Sequence, residues 1–289
     1  MLSPKNRELE IHSNEYDIID YICVKCYKLK MEYTLIEQGE FKYIETNKDA
    51  DEVLMLLHGL FGALSNFEGI IEHFSKSYNV VVPMLPIFEL PIRKVSVSGL
   101  VDHVSRFVEY KNFDKVNVLG NSLGGHITLL YGLAHPEKIN SLILTGSSGL
   151  FENSLGSTFP KRGDYEFIKR KTQDTFYDPE IASKELVDEI FDTVNDRNKA
   201  IRVVATAKSA VRHNLGDKLH QIKSPTLLIW GREDNVTPLF VGEKFNELIA
   251  GSKLSVVDAC GHAPMMEKPA VFNSILEEFL VGLANKKDS

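Results

Sequence analysis

The sequence predicts an α/β fold, in which a mostly parallel, twisted sheet carries helices on both faces. Three observations lead to this prediction. Short apolar runs recur along the chain, most of them are followed by a helical pattern, and the runs are nearly continuous rather than alternating in polarity. Near-continuous runs are typical of strands buried on both faces. Strands that alternate with helices favour a parallel sheet.

Six apolar runs, each rich in Leu, Ile or Val, are the predicted parallel strands: Val53–Leu57, Asn79–Val82, Val116–Leu119, Leu142–Thr145, Leu227–Trp230 and Leu254–Val257. An antiparallel hairpin is predicted before them, formed by Glu32–Glu37 and Phe41–Glu45. Helical patterns predict the helices that follow these strands, at Phe67–Phe74, Leu100–Tyr110, Gly124–His135, Leu239–Ile249 and Val271–Leu283.

The alternation of strands and helices stops between about residues 148 and 215, where the chain is charged and helical in pattern. Asp178-Pro179 predicts a helix start in this stretch, because aspartate caps a first turn and proline is tolerated there. We therefore expect an α/β core formed by residues 31–147 and 216–289, with a helical cap inserted at residues 148–215. Residues 1–30 form an unassigned N-terminal extension. The cap is expected over the carboxyl edge of the sheet, where open α/β sheets bind ligands.

Composition narrows the class of function. The 289 residues are 43% hydrophobic and 25% charged, which is ordinary for a globular protein. The formal net charge of −7 argues against nucleic acid as a partner, because phosphate binding needs a basic surface. The chain contains no apolar run of about 20 residues that would span a membrane, and its start does not resemble a signal peptide. We expect a cytoplasmic monomer or homodimer that acts on a small molecule.

The three cysteines do not suggest a disulfide framework, since their number is odd and small. Such usage fits a reducing compartment. Cys23 and Cys26 have the spacing of a metal or redox pair, but no second pair completes a tetrahedral site. We interpret this spacing as chance and expect neither a metal nor an organic cofactor.

The most informative motif is Gly120-Asn121-Ser122-Leu123-Gly124, which lies between a predicted strand and a predicted helix. A serine on such a sharp turn has its hydroxyl clear of the backbone, and the next N–H is free to face a bound carbonyl oxygen. The glycines supply room where a side chain would collide with neighbouring backbone. Ser122 is therefore the candidate nucleophile.

A serine nucleophile needs a base, and the base needs an acid that orients it. His262 follows the last predicted strand, and Asp234 follows the strand that ends at Trp230, so both loops open on the same sheet edge as Ser122. The chain order Ser122, Asp234, His262 is the order expected for a serine on such an elbow. Glu233 and Asp258 are rival candidates for the acid.

The loop His58-Gly59-Leu60-Phe61-Gly62 follows the strand Val53–Leu57. Its glycines allow the chain to turn back, so that the backbone N–H groups of Leu60 and Leu123 face one oxygen. These two groups are the predicted oxyanion hole, and one donor of this kind contributes roughly 3 kcal/mol to transition-state stabilisation. We expect His58 to order this loop rather than to transfer protons.

In their order along the chain, these motifs resemble the α/β-hydrolase superfamily. The resemblance covers about Met31–Leu283 and is carried by His58-Gly59, Gly120–Gly124, Asp234, and His262-x-Pro-x-x-Glu-x-Pro with Pro264, Glu267 and Pro269. It implies the α/β-hydrolase fold, in which the stretch at 148–215 is the cap that sets substrate choice. The motifs are specific for the fold and much less specific for the substrate.

Serine at the elbow argues against dehalogenase and epoxide hydrolase chemistry, which an aspartate would suggest. It favours acyl transfer to water through an acyl-enzyme on Ser122. Esters are the favoured substrates, because an alkoxide is expelled more easily than an amine. The sequence therefore predicts a serine hydrolase that cleaves a small carboxylic ester without a cofactor.

Two alternatives stay open. Asn121 and Arg197 make the chain similar to the carbon–carbon bond hydrolases that cleave dienoate ring-fission products, in which a cap arginine binds the substrate carboxylate. Both residues are therefore candidate substrate-binding residues. Ala263 departs from that family, whose members usually carry an aromatic residue after the catalytic histidine. The second alternative is a small-molecule receptor of hydrolase fold with slow turnover.

Overall fold

The computed structural model describes residues 33–62, 64–151 and 163–287, and it confirms the predicted fold class. The described residues form one eight-stranded sheet in the order β1-β2-β4-β3-β5-β6-β7-β8. The pairs β1–β2 and β2–β4 are antiparallel, and all the other pairs are parallel. The strands are β1 Ile36–Gln38, β2 Phe41–Glu45, β3 Val53–Leu57, β4 Asn79–Pro83, β5 Val116–Asn121, β6 Ile139–Thr145, β7 Thr226–Gly231 and β8 Lys253–Val257.

Helices follow the parallel strands, as the alternating pattern predicts. In the described part of the chain they are α1 Glu68–Phe74, α2 Val97–Tyr110, α3 Leu123–Ala134, α4 Tyr165–Gln173, α5 Lys184–Asn195, α6 Arg197–Arg212, α7 Leu239–Leu248, α8 Pro264–Glu267 and α9 Pro269–Lys287. The four-residue helix α8 has no counterpart in the sequence prediction, because one turn is too short to produce a hydrophobic period.

The hydrophobic core lies on both faces of the sheet. On strand β3, Met55 and Leu57 pack on the face that carries α2, α3 and α7, whereas Leu54 and Leu56 pack on the face that carries α1 and α9. All four side chains are buried. Burial on both faces explains the near-continuous apolar runs. Because β3 to β8 are parallel, the loops that leave these strands lie at one carboxyl edge.

The insertion between β6 and β7 contains α4, α5 and α6. The predicted helix start at Asp178 is confirmed, but the helix that begins there is a short 3₁₀ helix and not α5. Asp178 accepts a hydrogen bond from the Glu180 N–H at 3.0 Å, but it caps only a single 3₁₀ turn, Pro179–Ile181. Helix α5 begins at Lys184, where the Ser183 hydroxyl accepts from the Leu186 N–H at 3.3 Å. A nearby second capping residue therefore starts the helix.

The predicted N-terminal extension at residues 1–30, with Cys23 and Cys26, lies outside the described residues. The core and cap boundaries at residues 147, 148, 215 and 216 stay predictions. No helix in the described part of the chain has both the length and the apolar character that crossing a membrane requires.

Candidate active site

Ser122 lies at the turn from β5 into α3 and has a strained backbone, with φ 55° and ψ −116°. Residues other than glycine seldom have positive φ, and such strain persists only where the surroundings enforce it. Here the Ser122 N–H donates to the Thr145 carbonyl at 3.1 Å, and the Ser122 carbonyl accepts from the Ser148 N–H at 3.1 Å. Strand β6 and the segment that follows it therefore hold the turn.

Close backbone approach explains the two glycines of the turn. A Cβ atom on Gly124 would lie 1.9 Å from the Leu57 carbonyl oxygen, and one on Gly120 would lie 2.3 Å from the Gly124 carbonyl oxygen. These contacts are to backbone atoms, which cannot move aside as a flexible side chain can. The motif is therefore a packing requirement of the turn as well as a sequence pattern.

Asp234 and His262 are in direct contact. Asp234 Oδ2 and His262 Nδ1 lie 2.9 Å apart, and both side chains are buried. The carboxylate also accepts from the N–H groups of Val236 at 2.8 Å and Thr237 at 2.9 Å, and from the Thr237 hydroxyl at 2.9 Å. Because the carboxylate accepts, Nδ1 donates, which leaves Nε2 of the neutral ring as a proton acceptor.

The rival acids do not contact His262. A Glu233 carboxylate oxygen accepts from the Cys260 N–H at 3.0 Å, and Asp258 forms an ion pair with Arg232 on the surface. Among the three acidic candidates, only Asp234 is within hydrogen-bonding distance of the imidazole.

Ser122 and His262 line one cavity, together with Gly59, Leu60 and Leu123. The described residues show no hydrogen bond between the Ser122 hydroxyl and His262. Such a bond is often long in a free enzyme and shortens when substrate binds. A Cβ atom on Gly59 would lie 3.3 Å from the Ser122 Cβ atom, so the loop after β3 passes directly beside Ser122.

The N–H groups of Leu60 and Leu123 are available to a ligand, since within the described residues neither donates to a protein acceptor. Leu123 is the first residue of α3, and the first N–H groups of a helix have no partner within it. The structure thus brings both predicted oxyanion-hole residues to the cavity that contains Ser122.

His58 orders the loop that carries Leu60. The Leu85 N–H donates to His58 Nε2 at 3.0 Å, so the neutral ring carries its proton on Nδ1, which bonds the Gly59 carbonyl at 2.9 Å. Burial lowers the pKa of His58, which favours this neutral form. The ring therefore ties the oxyanion loop to the segment after β4.

Asn121 and Arg197, the two predicted substrate-binding residues, differ in location. The Asn121 amide donates to the backbone carbonyls of Thr145 at 3.1 Å and His262 at 3.2 Å. Both amide hydrogens are thus used within the protein, although the residue borders the cavity. Arg197 is exposed at the first position of α6, after the capping residue Asp196, and it is not among the residues that line the cavity. The structure does not bring Arg197 to the site.

Two residues that contact the Asp234–His262 pair were not predicted from the sequence. Gly146, with φ 50°, follows β6, and a Cβ atom there would lie 2.8 Å from His262 Nδ1, so its missing side chain makes room for the imidazole. Thr237 anchors the Asp234 carboxylate through its hydroxyl and its N–H. A glycine directly after a predicted strand and a Thr three residues after Asp are the available sequence signals.

The cavity has a volume of about 620 Å³ and extends from Ser122 into the inserted helices. Its lining from α4, α5 and α6 is mainly apolar and includes Phe167, Ile168, Leu186, Ile190, Val194, Val203, Val204 and Ala207. Lys171 and Asp174 also border it, but they are exposed and pair with each other at 3.1 Å. Within the described ranges, no cluster of three or more His, Cys, Asp or Glu side chains is arranged to hold a metal ion.

Known proteins similar to this chain share its fold. The model of a family described as "alpha/beta hydrolase fold" matches residues 52–180 and 193–269, which confirms the resemblance drawn from the motifs. Among solved structures, MGS-MChE2, an alpha/beta hydrolase enzyme from the metagenome of sediments of the Mar Chica lagoon in Morocco, is 39% identical with a TM-score of 0.72. The superposition covers 89% of this chain and 100% of the MGS-MChE2 chain.

Two of the curated relatives are hydrolases of different kinds. Monoacylglycerol lipase abhd6-B of Xenopus laevis is 24% identical over 283 residues, covering 88% of this chain and 83% of the relative. The 2-hydroxy-6-oxononadienedioate/2-hydroxy-6-oxononatrienedioate hydrolase of Escherichia coli O81 (strain ED1a) is 30% identical over 257 residues, covering 80% of this chain and 87% of the relative.

Proposed function

Because this chain belongs to the α/β-hydrolase fold family, we propose that it hydrolyses carboxylic esters with an apolar acyl group. The chain is a serine hydrolase of that fold. The observation that carries the proposal is a single cavity that joins Ser122, His262 with its bound Asp234, and two available N–H groups to an apolar extension.

The proposed mechanism is acyl transfer to water. His262 Nε2 takes the Ser122 hydroxyl proton as Oγ attacks the ester carbonyl, while the N–H groups of Leu60 and Leu123 bind the oxyanion. His262 then donates that proton to the leaving alkoxide, which yields the alcohol and an acyl-Ser122 ester. Water, deprotonated by His262, attacks this ester and releases the carboxylic acid and free Ser122.

The lining of the cavity supports a neutral, apolar acyl group. The described residues of its inner part carry no charge apart from the catalytic pair, and its charged border residues, Lys171 and Asp174, neutralise each other. An apolar chain gains about 0.8 kcal/mol per buried CH₂ group, whereas a carboxylate would be desolvated without a partner. One relative is named a monoacylglycerol lipase, and a monoacylglycerol is a carboxylic ester.

Carbon–carbon bond hydrolysis is the second candidate, and the 30% identity to the dienedioate hydrolase favours it. The same Ser122, His262 and oxyanion donors would serve that reaction. Its substrate carries carboxylates, however, and Arg197, the predicted carboxylate ligand, lies outside the cavity.

A panel of p-nitrophenyl esters from acetate to palmitate, assayed beside a ring-fission dienoate, tests the proposal. We expect kcat/KM to rise with each CH₂ group by up to about fourfold until the cavity is filled. Ser122→Ala is the control and should abolish turnover. Full activity in that variant would refute the mechanism, and fast dienoate cleavage with negligible ester turnover would establish the second candidate instead.

A further inference from the structure

The loop that carries His262 is held by a carboxylate that the catalytic mechanism does not use. Glu267 lies in the short helix α8, and its Oε1 accepts from the N–H groups of Gly261 at 2.9 Å and Ala263 at 3.4 Å. Its Oε2 accepts from the N–H of Tyr177, which belongs to the insertion, at 2.8 Å. One carboxylate therefore binds the backbone on both sides of His262 and the backbone of the cap segment.

The same cap segment, residues 175–177, also binds His262 directly. The His262 N–H donates to the Thr175 carbonyl at 2.9 Å. Gly261 allows this approach, because a Cβ atom there would lie 2.7 Å from the Thr175 carbonyl oxygen and 2.8 Å from the Tyr177 nitrogen. Between these two residues, Phe176 is buried and lines the cavity. A segment that lines the cavity beside Ser122 is thus also bonded to the catalytic loop.

We propose that Glu267 is a positioning residue that fixes the His262 loop against cap segment 175–177, which couples the cap to the catalytic base. This inference rests on the proposed role of His262 as that base. Ionised acceptors form the stronger hydrogen bonds to N–H groups, and here one rigid group ties three donors together. Loss of either side of this link frees the imidazole to move relative to Ser122.

Glutamine at position 267 is a near-isosteric probe, because all the described partners of Glu267 are N–H donors. An amide has one acceptor oxygen, so the side chain in Glu267→Gln can accept from either the His262 loop or Tyr177, but not from both. Its NH₂ group then faces an N–H donor and cannot form a hydrogen bond with it. Misplacement of a catalytic group by about 1 Å costs about 100-fold in rate. We expect Glu267→Gln to lower kcat for the best ester about 10- to 100-fold, with KM changed less than threefold.

Gly261→Ala tests the same coupling from the cap side, because its new methyl group collides with the backbone of segment 175–177. It should lower kcat in the same way. Glu277→Gln is the matched control, since it removes one carboxylate charge from the exposed face of the neighbouring helix α9 and should leave kcat unchanged. Circular dichroism and urea unfolding establish the folded fraction of each variant, and the rates are expressed per folded molecule.

Two readouts do not depend on the ester substrate. One is the rate at which a fluorophosphonate labels Ser122, and the other is the ¹H NMR signal of the His262 Nδ1–H bonded to Asp234. We expect slower labelling and a shifted or broadened signal in Glu267→Gln and Gly261→Ala, but not in Glu277→Gln. Normal labelling and an unchanged signal in folded Glu267→Gln would overturn the inference. Slowed labelling combined with no ester turnover by the parent protein would overturn the proposed function alone.

Discussion

Ser122 carries the strain of the active site in its own backbone, since its φ of 55° is unfavourable for any residue with a Cβ atom. The neighbouring hydrogen bonds to Thr145 and Ser148 hold it there. Strain of this kind costs about 1 to 3 kcal/mol, and glycine avoids most of it. The nucleophile is therefore kept at a cost to the stability of the folded state.

This strain predicts a ranking of two inactive variants. Ser122→Gly should be more stable than Ser122→Ala, with a free energy of unfolding about 1 kcal/mol higher. We expect this order although glycine has the greater chain entropy in the unfolded state, which by itself would favour Ser122→Ala. Urea unfolding of both proteins, monitored by the fluorescence of the single tryptophan, Trp230, measures the difference. A more stable Ser122→Ala would show that the turn is not strained in solution.

At the scale of secondary-structure elements, helix α5 depends on Ser183 rather than on Asp178. Ser183→Ala removes the cap hydrogen bond to the Leu186 N–H and should cost about 1 kcal/mol of unfolding free energy. Because Leu186 and Ile190 line the cavity, KM for long-chain esters should also rise.

The companion substitution Asp178→Ala affects only a 3₁₀ turn and should cost less than Ser183→Ala, while Ser183→Asp keeps the cap and should remain close to the parent protein. Urea midpoints and Michaelis constants of the three variants provide the comparison. A larger loss in Asp178→Ala than in Ser183→Ala would contradict this assignment of the helix start.

At the scale of the whole molecule, buried histidines make stability depend on pH. Burial lowers the pKa of His58, and it lowers those of His103 and His126 to about 4, from an ordinary value of 6.5. Between about pH 4 and 6.5 the unfolded chain therefore binds more protons than the folded protein. Stability is complete above pH 6.5 and falls as the pH decreases, by at most about 1.4 kcal/mol per pH unit for each such histidine.

Replacing one of these histidines should flatten that dependence. In His103→Gln the loss of unfolding free energy between pH 7 and pH 5 should be smaller than in the parent by about 1 to 2 kcal/mol. His220→Gln, at an exposed position, is the control and should keep the parent slope. Urea unfolding at the two pH values gives both slopes, and equal slopes in His103→Gln and the parent would contradict the prediction.

Much of this fold was predictable, because burial on both faces of the sheet leaves a local record in the apolar runs. The apolar runs also made the candidate triad predictable, because they locate the strand ends and the loops after parallel strands lie at one edge of the sheet. The location of Arg197 was not predictable, because the exposure of a cap residue depends on how α6 packs rather than on its own sequence. The bond between Thr175 and His262 joins distant parts of the chain and leaves no periodic signal. A glycine directly after a predicted strand is a sequence signal for Gly146, but the contact of this position with the imidazole is visible only in three dimensions.

The insertion leaves the sheet after Thr145 and returns at Thr226, on two strands that are direct neighbours. Nucleophile and oxyanion loop are therefore encoded before the insertion, and acid and base after it. Lengthening a loop is inexpensive, since each doubling of its length costs about 0.6 kcal/mol. The insertion between β6 and β7 can therefore be exchanged or lengthened in evolution while the parts of the chain that carry the catalytic residues stay unchanged. The exchange is constrained by segment 175–177, which any replacement must reproduce to keep His262 bonded.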